Sequence, residues 1–300
     1  MSLIENKHTM NKKLFIILFL LLANIILLSC SALKNPARMK KFVYFKTTKG
    51  EFVVGLYEGT PNHKNNFIKN CTDHLYDSTL VYSAKPWTLL KIGLKDGEKE
   101  EVVLSKNYIA KTIAPEINSK LYPKNGALGM VQYEKGKDQK SDTKLFFIVE
   151  GFKYDEDMSY KMLMFKKTEY TKKYLEDSIL TKPEYQYLKD SLDKLKKTKI
   201  ELYQVLFADL MDSARHIMKR KRIPEFTIPE DKMAEYQKYG GAPENDGKYT
   251  IFGEIVWNRA IVEKIATKDL TIGYRPRKDV WFLQSSVMNK SQYKKFLKSR

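Results

Sequence analysis

Phe42-Val43-Tyr44-Phe45-Lys46-Thr47-Thr48 and Glu51-Phe52-Val53-Val54-Gly55-Leu56, separated by Lys49-Gly50, are two runs of β-branched and aromatic residues around a tight-turn signal. The pattern predicts a β-hairpin. Upstream, Ser31 to about Lys40 reads as a short tether. Downstream, Thr60-Pro61 places a hydroxyl residue and a proline where a helix begins, and Phe67 and Ile68 then fall where a short helix can turn them toward a core.

The whole chain has 300 residues, 43% hydrophobic and 30% charged, which suits one large domain or two modest ones and excludes a disordered tail protein, a collagen and a multi-span membrane protein. With 14 Gly and 10 Pro there is no low-complexity linker. The two cysteines and the histidines His8, His63, His74 and His216 are too few and too scattered for a disulfide framework or a zinc site of the usual spacing. No metal is expected.

At the N-terminus, Lys12-Lys13 precedes Leu14 to Ala23 and Ile25 to Leu28, with Asn24 as the only polar interruption, and the run ends at Leu27-Leu28-Ser29-Cys30. A basic start, an apolar stretch of about 15 residues and a small residue before the cleavage point make a secretory signal, shorter than the roughly 20 residues a spanning helix needs. Leu27 and Ser29 in front of Cys30 resemble a bacterial lipobox, so residues 1–29 are expected to be a lipoprotein signal peptide and Cys30 the lipidated first residue of the mature chain. The alternative is a chance thiol near a signal anchor. Met10 is a reasonable true start.

Loss of residues 1–29 removes Lys7, Lys12, Lys13 and Glu5, which lowers the formal charge from +18 to +16. Such a chain adheres to anionic surfaces. Because it is exported, acidic lipid head groups, lipopolysaccharide or an acidic protein are the expected partners, and nucleic acid is not. Lys219-Arg220-Lys221-Arg222 reads as a solvated helix end, and Cys71, without a partner once Cys30 is acylated, as a packed thiol.

Several blocks together resemble the cyclophilins. Phe45 to Gly50 is similar to that family's first strand and turn, and Gly55-Leu56-Tyr57, Pro61, Asn66-Phe67 and Tyr76-Asp77-Ser78-Thr79 continue in its order. Asn125-Gly126-Ala127-Leu128-Gly129-Met130 and Leu145-Phe146-Phe147-Ile148 look like its two central strands. Asp246 to Val256 is similar to its most recognisable strand, with Ile261 to Ala266 as the helix after it. The resemblance implies a mainly β fold with an α insertion, a cyclophilin-like closed eight-stranded antiparallel barrel capped by two helices, built from residues 41–151 and 241–288. Residues 30–40 are then the tether and 289–300 a basic tail.

Between Ile148 and Tyr249 the chain spends about a hundred residues, far more than cyclophilins use there. Leu188, Leu192, Leu195, Leu202, Leu206, Leu210 and Ile217 recur at three-, four- and seven-residue steps, and Tyr160 to Leu180 is another candidate helix. Residues 152–240 are therefore read as a helical insertion, its apolar stripe either packing an α-hairpin on itself or docking a partner. Insertions ahead of an element like Gly240-Gly241-Ala242-Pro243 are similar to those in lipoprotein cyclophilins of Bacteroidetes-type bacteria.

The resemblance implies peptidyl-prolyl isomerisation, which needs no nucleophile, metal or cofactor. An X-Pro bond turns over a barrier of roughly 18–20 kcal/mol, lowered by an apolar pocket for the proline ring and a donor to the prolyl nitrogen. Cyclophilins use an arginine as donor. Counting from Tyr76-Asp77-Ser78-Thr79, its position holds Ser83, a short neutral hydroxyl. In the same register Thr88 replaces a pocket aromatic, Leu89 is a tolerable pocket residue and Lys91 replaces a supporting glutamine. Leu145 replaces a polar neighbour, Phe147 keeps the aromatic floor, Glu244 replaces a rim residue and Tyr249 is a tolerable replacement. Lys85 or Lys91 is the candidate substitute cation, although lysine fits the role less well than a planar guanidinium.

Two readings follow. One is a lipid-anchored isomerase or folding factor, with weak or lost catalysis, acting on proline-containing exported or outer-membrane proteins. The other is a non-catalytic scaffold that docks on an envelope secretion or assembly complex through 152–240. In bacteria of the implied group, acidic residues after the lipid cysteine favour surface display. Ser31 to Arg38 contains none, so a periplasm-facing outer-membrane anchor is expected, with the cell surface as the alternative.

Overall fold

Thr47 and Gly50 pair across the first hairpin, so the turn consists of Thr48 and Lys49, one residue earlier than the sequence pattern places it. The Thr47 hydroxyl closes it, donating to the Gly50 carbonyl at 2.8 Å and accepting from the Lys49 amide at 3.1 Å. The two strands are β1 (Met39–Thr47) and β2 (Gly50–Tyr57). This computed structural model describes residues 35–133, 139–266 and 269–300. The expected signal peptide and lipobox, with Cys30, lie outside the described residues, and a chain starting at Ser31 keeps every described element.

The chain divides into two units, Met1–Gly151 with Asn245–Arg300, and Phe152–Glu244. In the first, β3 (Thr79–Ala84), β4 (Leu89–Leu94), β5 (Ala127–Gln132), β6 (Ser141–Val149), β7 (Ile251–Trp257) and β8 (Trp281–Asn289) join the hairpin. Together they close an antiparallel barrel in the order β1-β2-β7-β5-β6-β4-β3-β8. Closure leaves no unpaired edge.

Strand alternation sends Val43, Phe45, Phe52, Val54, Val81, Leu90, Ile92, Leu128, Met130, Phe146, Ile148 and Phe252 into one core. Helix α1 (Pro61–Thr72) plugs one end of it with Phe67, whose ring lies 5.0 Å from Phe252 and 5.2 Å from Phe146. Its first amides are satisfied from afar, because the Glu116 carboxylate accepts from the Asn62 and His63 amides at 3.0 Å each. A short helix, Ile261–Ile265, adds Ile261, Val262 and Ile265 to the same core.

Two further helices belong to this unit: α2 (Glu100–Ala110), after β4, and a C-terminal helix, Lys290–Lys298, where the sequence pattern offers only a basic tail. The C-terminal helix forms because Asn289 and Gln292 make a reciprocal capping box and because β1 offers it an outward aromatic face. Phe42 stacks on Tyr293 at 4.2 Å, and Phe296 meets Tyr44 and Trp257 at 5.9 and 5.1 Å.

In the second unit the chain runs through helices Glu156–Tyr174, Gln186–Thr198, Ile200–Arg220 and Glu230–Tyr239, with a π-helical turn at Leu175–Ile179. Leu192, Met211 and Ala214 pack with Leu175, Ile179 and Leu180, and Leu188, Leu206, Leu210 and Ile217 lie against them. Most of the leucine stripe is thus consumed inside the unit, whereas Leu202 stays 51% exposed. Among the described residues no helix is long and apolar enough to cross a membrane.

Candidate functional site

The register lines up a row of residues across five strands: Ser83 opposite Lys91, Lys91 opposite Phe147, Phe147 opposite Gly129, and Gly129 opposite Ile251. Phe146 and Ile148 point into the barrel, so Phe147 between them lies on its outer wall. Ser83, Lys91 and Phe147 therefore share one outer face. The sequence order carried this information once the strands were assigned.

Phe147 is nonetheless only 1% exposed. The Cζ end of its ring lies against Gly129, where an added Cβ would sit 2.2 Å from Cζ, so only glycine admits the ring. Tyr249 meets it edge-on at 5.1 Å and 78°. A proline ring reaches this floor only if a covering side chain such as Tyr249 turns aside.

Lys91 is committed elsewhere. Its ammonium donates to Glu100 Oε1 at 2.8 Å, and the Tyr82 hydroxyl donates to the same oxygen at 3.0 Å. Tyr82 is the extra residue of a bulge, since Val81 pairs with Ile92 and Ser83 with Lys91. Burial, reinforced by the Glu100 carboxylate, pushes the Tyr82 phenol well above its ordinary value, so it remains a donor. Glu100 stands in the first turn of α2, where the helix end favours a carboxylate.

The remaining positions scatter. Thr88 closes the β3–β4 turn, its hydroxyl donating to the Lys85 carbonyl at 2.9 Å and its own carbonyl accepting from the Glu150 and Gly151 amides. Leu89 is half-buried and pairs with Val149 at the end of β4. Leu145 is fully buried, beside Gly93, and lines no open surface. Glu244 belongs to the second unit, where its carbonyl accepts from Lys166 Nζ at 3.3 Å, and it is not grouped with the others. Lys85 is exposed in the turn.

Tyr82 and Glu100 escaped the sequence reading. An acidic pair, Glu100-Glu101, soon after a strand in so basic a chain is the one signal that pointed to them. Also unforeseen is a buried chain in which Ser141 Oγ lies 3.1 Å from His63 Nε2 and His63 Nδ1 lies 2.6 Å from Glu116 Oε2. Its order is that of a serine hydrolase, but Ser141 and His63 have no exposed surface, so it acts as a clamp between α1, the segment around Glu116 and β6. Burial lowers the His63 pKa, with Glu116 pulling the other way. Among the described residues no cluster of His, Cys, Asp and Glu could hold a metal ion.

Residues 42–178 match the family model of the cyclophilin-type peptidyl-prolyl cis-trans isomerases. The chain carries a cyclophilin-type domain. The match spans β1 to β6 and runs into the first helix of the second unit, with β7 and β8 beyond it. Among solved structures the chain is similar to a cyclophilin-type isomerase of Cryptosporidium parvum crystallised in the presence of the dipeptide Ala-Pro. That likeness has 12% identity and a TM-score of 0.45, covering 83% of this chain and 99% of that one. A second crystal structure of the same protein gives 11%, 0.46, 84% and 99%. No curated protein matches the sequence. In this cyclophilin-type domain, then, Ser83 stands at the position the resemblance assigns to arginine, and the neighbouring cation is neutralised by Glu100.

Proposed function

We propose that the chain is a cell-envelope lipoprotein whose cyclophilin-type barrel engages proline-containing exported or outer-membrane proteins as an accessory or folding factor, with little isomerase activity. The observation that carries this reading is the Ser83–Lys91–Phe147 row, which keeps an aromatic floor but directs no free cation at a bound amide. A preorganised donor of this kind is worth roughly 10²–10³ in rate, so turnover should fall at least that far below an active cyclophilin. Cys30 supplies the anchor in this reading, in the periplasmic face of the outer membrane, and Cys30→Ser should abolish metabolic labelling of the protein with a fatty acid.

The deciding experiment is a protease-coupled isomerisation assay on a proline tetrapeptide, using the chain from Ser31, its Ser83→Arg variant and an active cyclophilin. A wild-type trace near background with a clear gain in Ser83→Arg is the expected result. A wild-type rate close to the active enzyme would refute it. The scaffold reading, docking on an outer-membrane complex through the insertion, is favoured by one observation: helix Ile200–Arg220 leaves Ile200, Leu202 and Val205 exposed. It gains ground if Ser83→Arg is also silent.

A further inference from the structure

The C-terminal helix is basic in an unusual way. Residues 280–300 contain no Asp or Glu, and neither does β1. Lys290, Lys294, Lys295 and Lys298 are all exposed, and among the described residues none has an acidic partner. Some surface lysines elsewhere pair within their helix, as in Lys161 with Asp157, Lys69 with Asp73 and Lys172 with Glu176, whereas here the whole terminal stretch offers no acidic residue to pair with.

Position adds a second observation. Lys41 pairs in register with Asn289, the cap of this helix, so exposed Lys41 joins the cluster at the end of β1 where the tether enters. Eight residues, 31–38, lie between Cys30 and Met39, and these nine Cα-to-Cα steps reach at most about 30 Å even when fully extended. An anchor at Cys30 thus keeps the start of β1, two residues before Lys41, within about 30 Å of the bilayer. Tyr293 and Phe296 are used against the barrel, but Leu297 remains 44% exposed between Lys294 and Lys298 on the helix surface. An apolar side chain among cations suits an interface between water and lipid.

We infer that the outer face of helix Lys290–Lys298, with Lys41, docks on anionic phospholipid head groups of the leaflet that holds the anchor. A lipid anchor is supplemented by a basic patch, and the pair fixes which side of the barrel faces the membrane. The inference rests on the lipoprotein reading for its choice of a bilayer. It is tested on unacylated protein, so its failure and the failure of the anchor, read from fatty-acid labelling lost in Cys30→Ser, are separate results.

The test is co-sedimentation of the chain from Ser31 with vesicles of phosphatidylcholine, with and without 30% phosphatidylglycerol, at about 0.1 M salt, where charges act over about 10 Å. Each lysine near such a surface contributes roughly fivefold to partitioning. Replacing Lys290, Lys294, Lys295 and Lys298 by Gln should lower binding at least ~30-fold after screening, and the milder pair Lys290→Gln with Lys294→Gln about tenfold. Replacing Lys219, Arg220, Lys221 and Arg222 by Gln, four charges in the other unit, should change it less than ~threefold. Equal loss in that control would overturn the inference, because net charge alone would then explain binding. So would equal binding to neutral vesicles, no binding by the wild type, or duplex DNA binding with the same dependence on these lysines.

Discussion

Gly129→Ala is the sharpest probe of the outer wall. The added methyl would meet Phe147 Cζ at 2.2 Å and its two Cε atoms at 2.8 and 2.9 Å, so the ring must move, and Tyr249 stands at its edge. Overpacking of this kind costs about 1–3 kcal/mol, and a rigid ring places it toward the upper end. Phe147→Ala, which empties a buried site, should cost about 3–5 kcal/mol. In the double variant the new methyl enters the volume the ring vacated, so the clash disappears and part of the cavity fills. The double variant should therefore be no less stable than Phe147→Ala alone, a coupling of about 1–3 kcal/mol. Urea unfolding followed by tryptophan fluorescence measures it, because Trp87, Trp257 and Trp281 all lie in the barrel unit and report on it separately from the helical unit. Costs that simply add, within about 0.5 kcal/mol, would refute the ring-over-glycine argument. Gly129→Ala should also weaken binding of a proline peptide, since it displaces the floor of the site.

An arginine placed at residue 83 lies beside Lys91 and within the neighbourhood of Glu100, which can capture it. Glu100→Gln in the Ser83→Arg background should thus raise isomerase activity a further severalfold over Ser83→Arg alone, and an unchanged rate in the coupled assay would show that Glu100 does not hold the cation. The His63 clamp sets a pH dependence. Burial lowers the folded-state pKa below the ordinary 6.5, so the unfolded chain binds the proton more readily. The stability His63 contributes is complete above about pH 6.5 and declines as pH falls from there toward the folded-state value. Urea midpoints between pH 8 and 5 should fall in the wild type and fall less in His63→Gln; parallel slopes would assign the loss to other groups.

The hairpin, helix α1 and the leucine periodicity of the second unit were legible because each is a local pattern. Phe42 to Leu56 is rich in β-branched and aromatic residues around a turn signal, and Leu188 to Ile217 repeats at the period of a helix. The order of Ser83, Lys91 and Phe147 was legible too, but their neighbours were not. Glu100 reaches Lys91 from a helix whose own sequence has weak periodicity, and the bulge at Tyr82 depends on how β3 meets β4. The Ser141–His63–Glu116 clamp joins residues 53 and 78 positions apart, and a lone buried histidine gives no sign of its partners. The helix at Lys290–Lys298 was missed because its apolar positions, Tyr293 and Phe296, make sense only once Phe42 and Tyr44 are seen to point outward.

Strand alternation also explains how such a barrel can outlast its chemistry. Val81 and Ala84 on β3 and Leu90 and Ile92 on β4 face the interior, while Ser83 and Lys91 lie on the opposite face of the same strands. A change at an outward position removes no core contact, so the donor can be lost with little penalty to the fold. Gly129 and Phe147 are the exception, outward in register yet closed over by their own packing. Their packing against each other accounts for both residues through stability, without appeal to turnover. An aromatic floor that survives without its cation is therefore weak support for catalysis, whereas rescue by Ser83→Arg would show that the floor still accepts proline.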